Sequence, residues 1–385
     1  MAEACETHYL GGGLIAPERL VGICVTRHGY GRPLKRIRLV EAGHPVPDEA
    51  GLKGTADILA LASEAGPDDL ALVLVSGGGS ANWIAPAEGL TIADKQALTK
   101  ALLASGAPIS DINTVRKHLS RIKGGRLAAR LHPARSLTLA ISDVPRDDPT
   151  IIASGPTVPD PTTAEDAARI LDRWKIGIPP QVRSVLNGPA GETPKPGDPV
   201  LVNAEVRIIA RPSDSLEAAA AIGRAADYEV VVLGDALEGE AAEVGAEHGR
   251  MAVEALRTGR KTILLSGGEL TVTIRGDGKG GPNQEYALAL AISIDGARGI
   301  TALAADTDGT DGGSGATTDP AGAFADATTV TRARALGLSA VNILKNNGSM
   351  RFFERISDLL VTGATGTNVN DFRCVVVDNG NPDGQ

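Results

Sequence analysis

The run Ser76-Gly77-Gly78-Gly79-Ser80 follows directly on the aliphatic residues Leu72 to Val75. Backbone N–H groups can approach a phosphate closely only where side chains are absent, and the start of a following helix favours an anion. The pattern therefore predicts an anion-binding loop after a strand, with phosphate as the expected ligand. A tight strand-to-helix turn is the alternative interpretation.

A second group of candidate residues is cationic. The stretch NTVRKHLSRIKGG places Arg116 and Lys123 on one predicted helix face and Lys117 and Arg121 on the neighbouring face. A solvated basic face is the ordinary explanation of such a pattern. Because the glycine loop precedes the stretch and an aspartate-rich segment follows it, binding of a carboxylate or phosphate is an equally good explanation.

Aspartates follow two further predicted strands, as Asp143 in ISDVPRDDP and as Asp306, Asp308 and Asp311 in ADTDGTDGG. Magnesium takes oxygen ligands, often one or two carboxylates together with water and a substrate phosphate. The sequence therefore makes Asp143, Asp306 and Asp308 candidate Mg²⁺ ligands, with a cluster of Asp-Gly turns as the alternative. An EF-hand is excluded because Thr317 stands where its closing glutamate would be.

The elements that must position these residues alternate between short strands and helices. Strands are predicted at 20–26, 36–40, 70–75, 136–142, 206–210, 229–233, 261–265, 270–275 and 300–306. Helices are predicted at 54–64, 92–105, 114–131 with a glycine break, 214–226, 238–257 and 284–293. The alternation predicts an α/β fold with parallel sheets covered on both faces. Ligands of such folds bind beyond the carboxyl ends of strands. Four polar loops follow predicted strands in this way: Ser76–Ser80, the loop of Asp143, SGGE at 266–269 and the loop of Asp306.

Length and composition set limits on the class of protein. The 385 residues are enough for two domains, and the Pro/Gly-rich segment 186–200 predicts limits of 1–190 and 191–385. A net charge of −9 argues against nucleic-acid or anionic-membrane partners. Three scattered cysteines argue against a disulfide framework or a zinc site. Because the sequence has no leader pattern and no long apolar run, we expect a soluble cytoplasmic protein. A homodimer is kept as a candidate assembly.

The segment Gly276-x-Gly278-x-x-Gly281 is an alternative nucleotide signal. It lies between a predicted strand and a predicted helix, which is the context of a dinucleotide fingerprint, and Asp306 follows at the end of the next strand. The charged Asp277 within the loop weakens this interpretation. It nevertheless keeps an NAD(P)H-dependent oxidoreductase as an alternative function.

Long stretches of the chain resemble the glycerate 2-kinase family, whose members often carry the label hydroxypyruvate reductase. The stretches SGGGSANWIAP and ISDVPRDDPTIIASGPTVPDPTT resemble its amino-terminal domain, and LSGGELTVTIRGDGKGGPNQEYALALA, DTDGTDGGSGATTDPAGAF and LLVTGATGTNVNDFR resemble its MOFRL domain. The resemblance implies phosphorylation of D-glycerate at its C2 hydroxyl, with ATP and Mg²⁺, to give 2-phosphoglycerate. It also implies two α/β domains around a cleft, the first Rossmann-like with a largely parallel sheet.

The resemblance assigns expected roles to individual residues. Nucleotide and phosphate binding is expected of Ser76, Gly77, Gly78, Gly79, Ser80, Ser266, Gly267, Gly268, Glu269 and Asn283. Binding of D-glycerate is expected of Asn113, Arg116, Lys117, Thr367 and Asn368. Catalysis is expected of Arg116, Asp143 and Lys279, and Mg²⁺ binding of Asp143, Asp306 and Asp308. Arginine suits a carboxylate because its fork of donors binds both oxygens, as lysine cannot.

The sequence departs from the family pattern at two points. Members usually begin with a strand, a Gly-Lys-Ala motif and a helix, and Met1-Ala2-Glu3-Ala4 resembles the middle of that helix. The first domain is therefore expected to lack its first strand and the lysine of the motif. Many members also have arginine where Pro282 stands. A catalytically weak form that binds nucleotide or glycerate is accordingly a further alternative.

Overall fold

The computed structural model describes residues 1–313 and 316–378, and the chain divides into two compact units, Met1–Ile209 and Ala210–Gln385. Both units combine helices with β-sheets, which confirms the predicted α/β class. The division by compactness falls later than the predicted limits of 1–190 and 191–385. Those limits stay a prediction for the domains as the family would define them.

The sheets of the first unit are small, and two of their strand pairs run parallel. Its strands are Gly22–Arg27 (β1), Ile37–Ala42 (β2), Leu70–Val75 (β3), Arg135–Ile141 (β4) and Ala204–Ala210 (β5). Strand β1 pairs with β2, and β3 pairs with β4 in a three-stranded sheet completed by β5. Because β3 and β4 are parallel neighbours, the loop of Ser76 and the loop of Asp143 leave the sheet at the same edge.

Among the described residues, the first unit has eight α-helices, and three of them begin at a polar side chain that caps the helix. The eight are Ala2–Glu6 (α1), Glu49–Glu64 (α2), Gly79–Asn82 (α3), Ile92–Ala104 (α4), Ile109–His118 (α5), Arg126–Leu131 (α6), Ala164–Arg173 (α7) and Pro180–Leu186 (α8). Capping boxes start α4, at Thr91 and Asp94, and α7, at Thr163 and Asp166. Buried aliphatic side chains of α4, α5, α7 and α8 form one continuous core.

The predicted helix 114–131 is interrupted more widely than its two glycines suggested. Helix α5 ends at His118 and α6 begins at Arg126, and Gly124 and Gly125 just before α6 have φ values of +61° and +81°. Lys123 therefore lies in the connecting segment and does not share a helix face with Arg116. That part of the prediction was wrong.

The second unit contains a six-stranded sheet in the order β10-β9-β8-β11-β7-β6. Its strands are Glu229–Gly234 (β6), Thr262–Ser266 (β7), Ile300–Asp306 (β8), Gly322–Asp326 (β9), Leu359–Leu360 (β10) and Asp371–Val377 (β11). Only β6 and β7 pair in parallel, so the expectation of a parallel sheet was wrong here. The last strand, β11, enters antiparallel between β7 and β8, and it therefore begins at the edge where both of them end.

One helix of the second unit is almost wholly buried. The helices of this unit are Pro212–Ala225 (α9), Ala241–Thr258 (α10), Pro282–Ile294 (α11), Thr329–Ala335 (α12), Ala340–Lys345 (α13) and Ser349–Ile356 (α14). Helix α11 is buried from Asn283 to Ala291. The strand predicted at 270–275 was wrong, because the segment makes only one bridge, between Thr271 and Glu240. No helix in the described ranges has the length and apolar character needed to cross a membrane.

Helices α10 and α11 approach closely because Gly245 has no side chain. A Cβ atom at Gly245 would lie 2.3 Å from the backbone oxygen of Tyr286, a residue with no exposed surface. Alanine is normally better than glycine in a helix by about 1 kcal/mol. Overpacking a well-packed site costs roughly 1–3 kcal/mol, so the clash should exceed the gain in helix propensity.

We therefore predict that Gly245→Ala lowers the melting temperature, as measured by calorimetry. Gly177→Ala is the matched control, since a Cβ there would meet nothing within 4 Å. It should change stability by no more than about 0.5 kcal/mol. A Gly245→Ala protein as stable as the wild type would show that the two helices can separate at no cost.

Candidate active site

The glycine loop of the first unit is shaped by contacts with its own chain as well as by backbone freedom. Gly78 has φ +78° and precedes the short helix α3. A Cβ atom at Gly78 would lie 3.1 Å from the ring of His44, and one at Gly79 would lie 2.9 Å from Cβ of Ala153. The turn interpretation thus explains these two glycines in part, and the predicted phosphate role of Ser76–Ser80 stays a prediction.

Three cationic side chains gather beside this loop. The Ser80 carbonyl oxygen accepts hydrogen bonds from Arg116 Nη2 at 3.2 Å and from Lys123 Nζ at 2.8 Å. Lys95 Nζ donates to the carbonyl oxygens of Leu119 at 2.9 Å and Arg116 at 3.4 Å. Within the described residues, none of the three cations forms an ion pair with a carboxylate. We call Lys95, Arg116 and Lys123 the cation cluster.

Burial without a counterion weakens the hold of these groups on their protons. Burial lowers the pKa of Lys95 to about 7, and the charges of Arg116 and Arg126 add to the effect. Burial also lowers the pKa of Lys123 well below its usual value, together with the charges of Arg116 and Lys95. The pKa of Arg116 is lowered by burial as well. An anion bound here would relieve the repulsion, so the cation cluster is suited to bind a carboxylate or a phosphate.

Sequence reasoning missed two members of the cation cluster as site residues. Lys95 looked like one polar position on a helix, and no local signal marked it. Lys123 was noted only as part of a basic face, although its position just before Gly124 and Gly125 removes it from the helix. Both side chains become significant only through burial, at 6% and 1% exposure.

The neighbouring predicted substrate residues belong to a buried network. Lys117 Nζ lies 3.5 Å from the fully buried Asp160 carboxylate, and His118 Nδ1 lies 2.7 Å from the Gly191 carbonyl oxygen. These bonds hold the end of α5 against the segment that precedes α7 and the segment that follows α8. Asn113 is 8% exposed on the same helix. The expected roles of Asn113 and Lys117 in binding D-glycerate stay predictions.

In the second unit, Arg373 organises the loop after β7. The fully buried guanidinium donates to the carbonyl oxygens of Gly267 at 2.9 Å and Gly268 at 3.1 Å, and it pairs with Asp371. A Cβ atom at Gly268 would lie 2.1 Å from the Leu237 backbone nitrogen. These two glycines therefore leave room for neighbouring backbone segments of the protein itself. The predicted phosphate role of Ser266–Glu269 stays a prediction.

The start of α11 is occupied by a carboxylate from the chain itself. Asp311 accepts hydrogen bonds from the backbone N–H groups of Asn283 at 3.0 Å and Gln284 at 2.8 Å. The Asn283 side chain also donates to Asp371 at 2.6 Å. Burial raises the pKa of Asp311 to about 6, although these bonds oppose the shift. Asn283, expected to bind phosphate, is thus engaged with two aspartates.

Antiparallel pairing brings further carboxylates together at this edge, because Asp371 of β11 is opposite Asp306 of β8. Burial raises the pKa of Asp306 to about 8, and the negative charges of Asp308 and Asp371 add to the effect. Asp308 Oδ1 accepts the Thr310 N–H at 2.7 Å. No group of three or more His, Cys, Asp or Glu in the described ranges is arranged to hold a metal. Asp306 and Asp308 nonetheless fit Mg²⁺ that takes one or two carboxylates and a phosphate, since a cation would replace the retained proton.

The other expected site residues lie outside these clusters. Asp143 is half-buried after β4 in the first unit. Lys279 is exposed, and its carbonyl oxygen accepts the Met350 N–H at 2.9 Å. Thr367 is exposed, and Asn368 accepts the Asn370 N–H at 2.9 Å. The roles expected of these residues, and the cleft that the resemblance implies, stay predictions.

The dinucleotide interpretation of Gly276–Gly281 is contradicted by packing. A Cβ atom at Gly278 would lie 2.3 Å from the Asn346 carbonyl oxygen, and one at Gly281 would lie 2.2 Å from the Asp311 carbonyl oxygen. The glycines therefore make room for neighbouring segments of the protein. The strand that should precede a dinucleotide fingerprint is also not formed, as noted above for 270–275.

Comparison with known proteins places this arrangement in a family. Residues 1–187 match DUF4147, a domain of unknown function, and residues 262–371 match the MOFRL family. A glycerate 2-kinase from Pyrococcus horikoshii is 42% identical to this chain, over 92% of this chain and 81% of its own. This chain belongs to the glycerate 2-kinase family. The resemblance seen in the sequence is thereby confirmed.

Two further members of the glycerate 2-kinase family are informative. The crystal structure of a glycerate kinase from Thermotoga maritima matches with a TM-score of 0.87 and 38% identity, covering 98% of this chain and 88% of that chain. A relative from Agrobacterium vitis carries the provisional name hydroxypyruvate reductase, and it is 48% identical over 93% of this chain and 92% of its own. The fold thus agrees with a kinase, while names within the family differ.

The proton retained by Asp306 predicts a dependence of stability on pH. Its pKa is about 8 in the folded protein and roughly 4 in an unfolded chain. The folded state therefore binds more protons between these values, and stability is lost as the pH rises from about 4 to about 8. Asp306→Asn removes this loss, so the melting temperature of the variant relative to wild type should rise between pH 5 and pH 9.

The matched control is Glu247→Gln, which changes an exposed carboxyl on α10. Its melting temperature relative to wild type should be nearly the same at both pH values. An Asp306→Asn difference that does not depend on pH would contradict the retained proton.

Proposed function

We propose that this protein is an ATP-dependent D-glycerate 2-kinase, which transfers the γ-phosphoryl group to the C2 hydroxyl of D-glycerate. The products are ADP and 2-phosphoglycerate. The observation that carries the proposal is the cation cluster beside the glycine loop, buried without a carboxylate partner among the described residues. A substrate with a carboxylate and a donor with phosphates supply the anions that such a cluster lacks. The 42% identity to a protein named glycerate 2-kinase supports the same substrate.

Phosphoryl transfer depends on positioning and on neutralising charge, because little covalent chemistry falls to the protein. Arg116 uses one nitrogen on the Ser80 carbonyl oxygen, and a guanidinium has five N–H donors in a planar fork. We propose that its other donors pair with the glycerate carboxylate. The backbone N–H groups of Ser76–Ser80 would bind phosphate oxygens at the carboxyl end of β3.

Magnesium would neutralise phosphate charge in this reaction. Asp306 and Asp308 are the proposed ligands in the second unit, and Asp143 is the proposed ligand in the first. The retained proton of Asp306 means that cation binding there would displace a proton. A cytoplasmic location and a homodimer stay predictions.

A nicotinamide-dependent reductase is the second candidate, because a relative at 48% identity carries that provisional name. The packing of Gly278 and Gly281 against the chain itself argues against it. A protein that binds glycerate without turnover is the third candidate. ADP release identifies the kinase, and a change in the absorbance of the nicotinamide cofactor identifies the reductase. A melting temperature that depends on ligand, without turnover, identifies the binding protein.

The test is a coupled assay for ADP release with ATP, Mg²⁺ and D-glycerate, with the product identified by phosphorus NMR. We predict glycerate-dependent ADP and 2-phosphoglycerate. Omission of glycerate measures background ATP hydrolysis. Nicotinamide oxidation with hydroxypyruvate, and no glycerate-dependent ADP, would overturn the proposal in favour of the reductase.

Arg116→Lys tests the pairing of Arg116 with the glycerate carboxylate. Lysine keeps the charge but not the planar fork, so kcat/KM for D-glycerate should fall by about 100-fold or more. Arg121→Lys is the matched control, an exposed arginine in the segment after α5. It should leave kcat/KM nearly unchanged. Equal values for the two variants would remove Arg116 from the substrate site.

A further inference from the structure

Two serines and a lysine form a hydrogen-bonded network, whose serine hydroxyl groups have no part in the roles described above. Lys123 Nζ lies 3.1 Å from Ser80 Oγ, and Ser80 Oγ lies 2.8 Å from Ser154 Oγ. Lys123 is 1% exposed and Ser154 is fully buried, whereas Ser80 is half-buried. Of these three side chains, Ser80 is therefore the one that a substrate hydroxyl group can reach. We call the three residues the serine–lysine relay.

Lys123 is placed where an amine gives up its proton readily. It donates to the Ser80 carbonyl oxygen at 2.8 Å and forms no ion pair with any described carboxylate. The charged groups that act on it are Arg116 from α5 and Lys95 from α4, and both are positive. In the reacting state Lys123 is the neutral member of the cation cluster, with a free lone pair, and Arg116 and Lys95 carry the charge that binds anions. Lys123 can then accept a hydrogen bond from the Ser80 hydroxyl while donating to the Ser80 carbonyl oxygen.

The backbone at Ala153 and Ser154 is strained beside the Ser154 hydroxyl that contacts Ser80. Ala153 and Ser154 have φ values of +49° and +64°, in a backbone region that residues other than glycine seldom adopt. The Ser154 N–H is held by the Ile151 carbonyl oxygen at 2.8 Å. Gly79 leaves room for Ala153, whose Cβ would otherwise be 2.9 Å from a second Cβ. Such strain is unfavourable and is concentrated at functional sites.

We propose that Ser80 and Lys123 take up the proton that the glycerate hydroxyl loses, an inference that rests on the proposed kinase function. As the C2 oxygen bonds to the γ-phosphorus of ATP, the bond from that phosphorus to the oxygen kept by ADP breaks. The C2 proton passes to Ser80 Oγ, the Ser80 proton passes to Lys123 Nζ, and an ammonium forms. Ser154 orients Ser80 by donating its hydroxyl hydrogen to Ser80 Oγ.

The test compares Lys123→Met, Ser80→Ala and the double variant in the ADP assay, with melting temperatures to verify folding. Each single change should lower kcat by about 100-fold or more, as loss of a positioned base does, with little change in KM for D-glycerate. The double variant should be no slower than the slower single variant, since residues that act as a unit are not additive. Lys100→Met, an exposed lysine on α4, is the matched control and should keep wild-type kcat.

Lys123→Arg separates proton uptake from a fixed positive charge. A guanidinium keeps the charge but does not release its proton, so this variant should be as slow as Lys123→Met. A Lys123→Arg enzyme that keeps most of the wild-type kcat would overturn the inference. A double variant whose loss is the product of the two single losses would overturn it as well.

Ser80 supplies a test that does not depend on whether the buried lysine variants fold. Ser80→Thr keeps a hydroxyl and should recover much of the kcat lost in Ser80→Ala. Wild-type kcat in Ser80→Ala contradicts the serine–lysine relay while leaving the kinase function in place. A wild-type protein without glycerate-dependent ADP overturns the kinase function and this inference together, so the two failures are distinguishable.

Discussion

The burial of three neighbouring cations with no carboxylate partner among the described residues is the constraint on which the first unit depends. Lys95, Arg116 and Lys123 come from α4, from α5 and from the segment after α5, and all three hydrogen-bond to carbonyl oxygens. Carbonyl dipoles satisfy the N–H donors but do not cancel the positive charge. A buried charge without a counterion is costly, which is why the pKa values of these groups are lowered. The cluster is therefore suited to an anionic ligand. Without such a ligand its buried charges destabilise the folded protein.

The second unit shows the opposite electrostatic pattern. Asp306, Asp311 and Asp371 lie at one edge of its sheet, and their pKa values are raised to about 8, about 6 and about 7. One buried arginine, Arg373, pairs with Asp371 and binds the loop after β7. Excess negative charge at this edge is suited to a cation, as excess positive charge in the first unit is suited to an anion.

The sequence predicted the elements where local pattern and packing agree. The strand at 70–75 and the helix at 92–105 match β3 and α4 closely, because a short aliphatic run and a capped periodic segment are local signals. The strand at 270–275 was predicted from residue type alone, and it fails because no neighbouring strand pairs with it. The antiparallel entry of β11 between β7 and β8 was not predicted, since the pairing joins residues far apart in sequence.

The candidate site was predictable only in part for the same reason. The Ser76–Ser80 loop and Arg116 follow from local motifs. Lys95 and Ser154 do not, because their significance comes from burial and from contacts across distant segments. The glycines of 276–281 carry a nucleotide pattern, yet they are required by contacts with the segment before α14 and with Asp311. A glycine motif shows where another group lies close to the backbone, but it does not show whether that group is a ligand or the protein itself.

The most direct measurement is the melting temperature of the wild-type protein titrated with inorganic phosphate and with D-glycerate, in the absence of ATP. Sodium chloride at matched ionic strength is the control. If the cation cluster binds an oxyanion, either ligand should raise the melting temperature in a saturable manner, since a ligand that binds only the folded state stabilises it. Chloride at matched ionic strength should give a smaller rise. No rise with either ligand beyond that of chloride would contradict the claim that the cluster is an anion site.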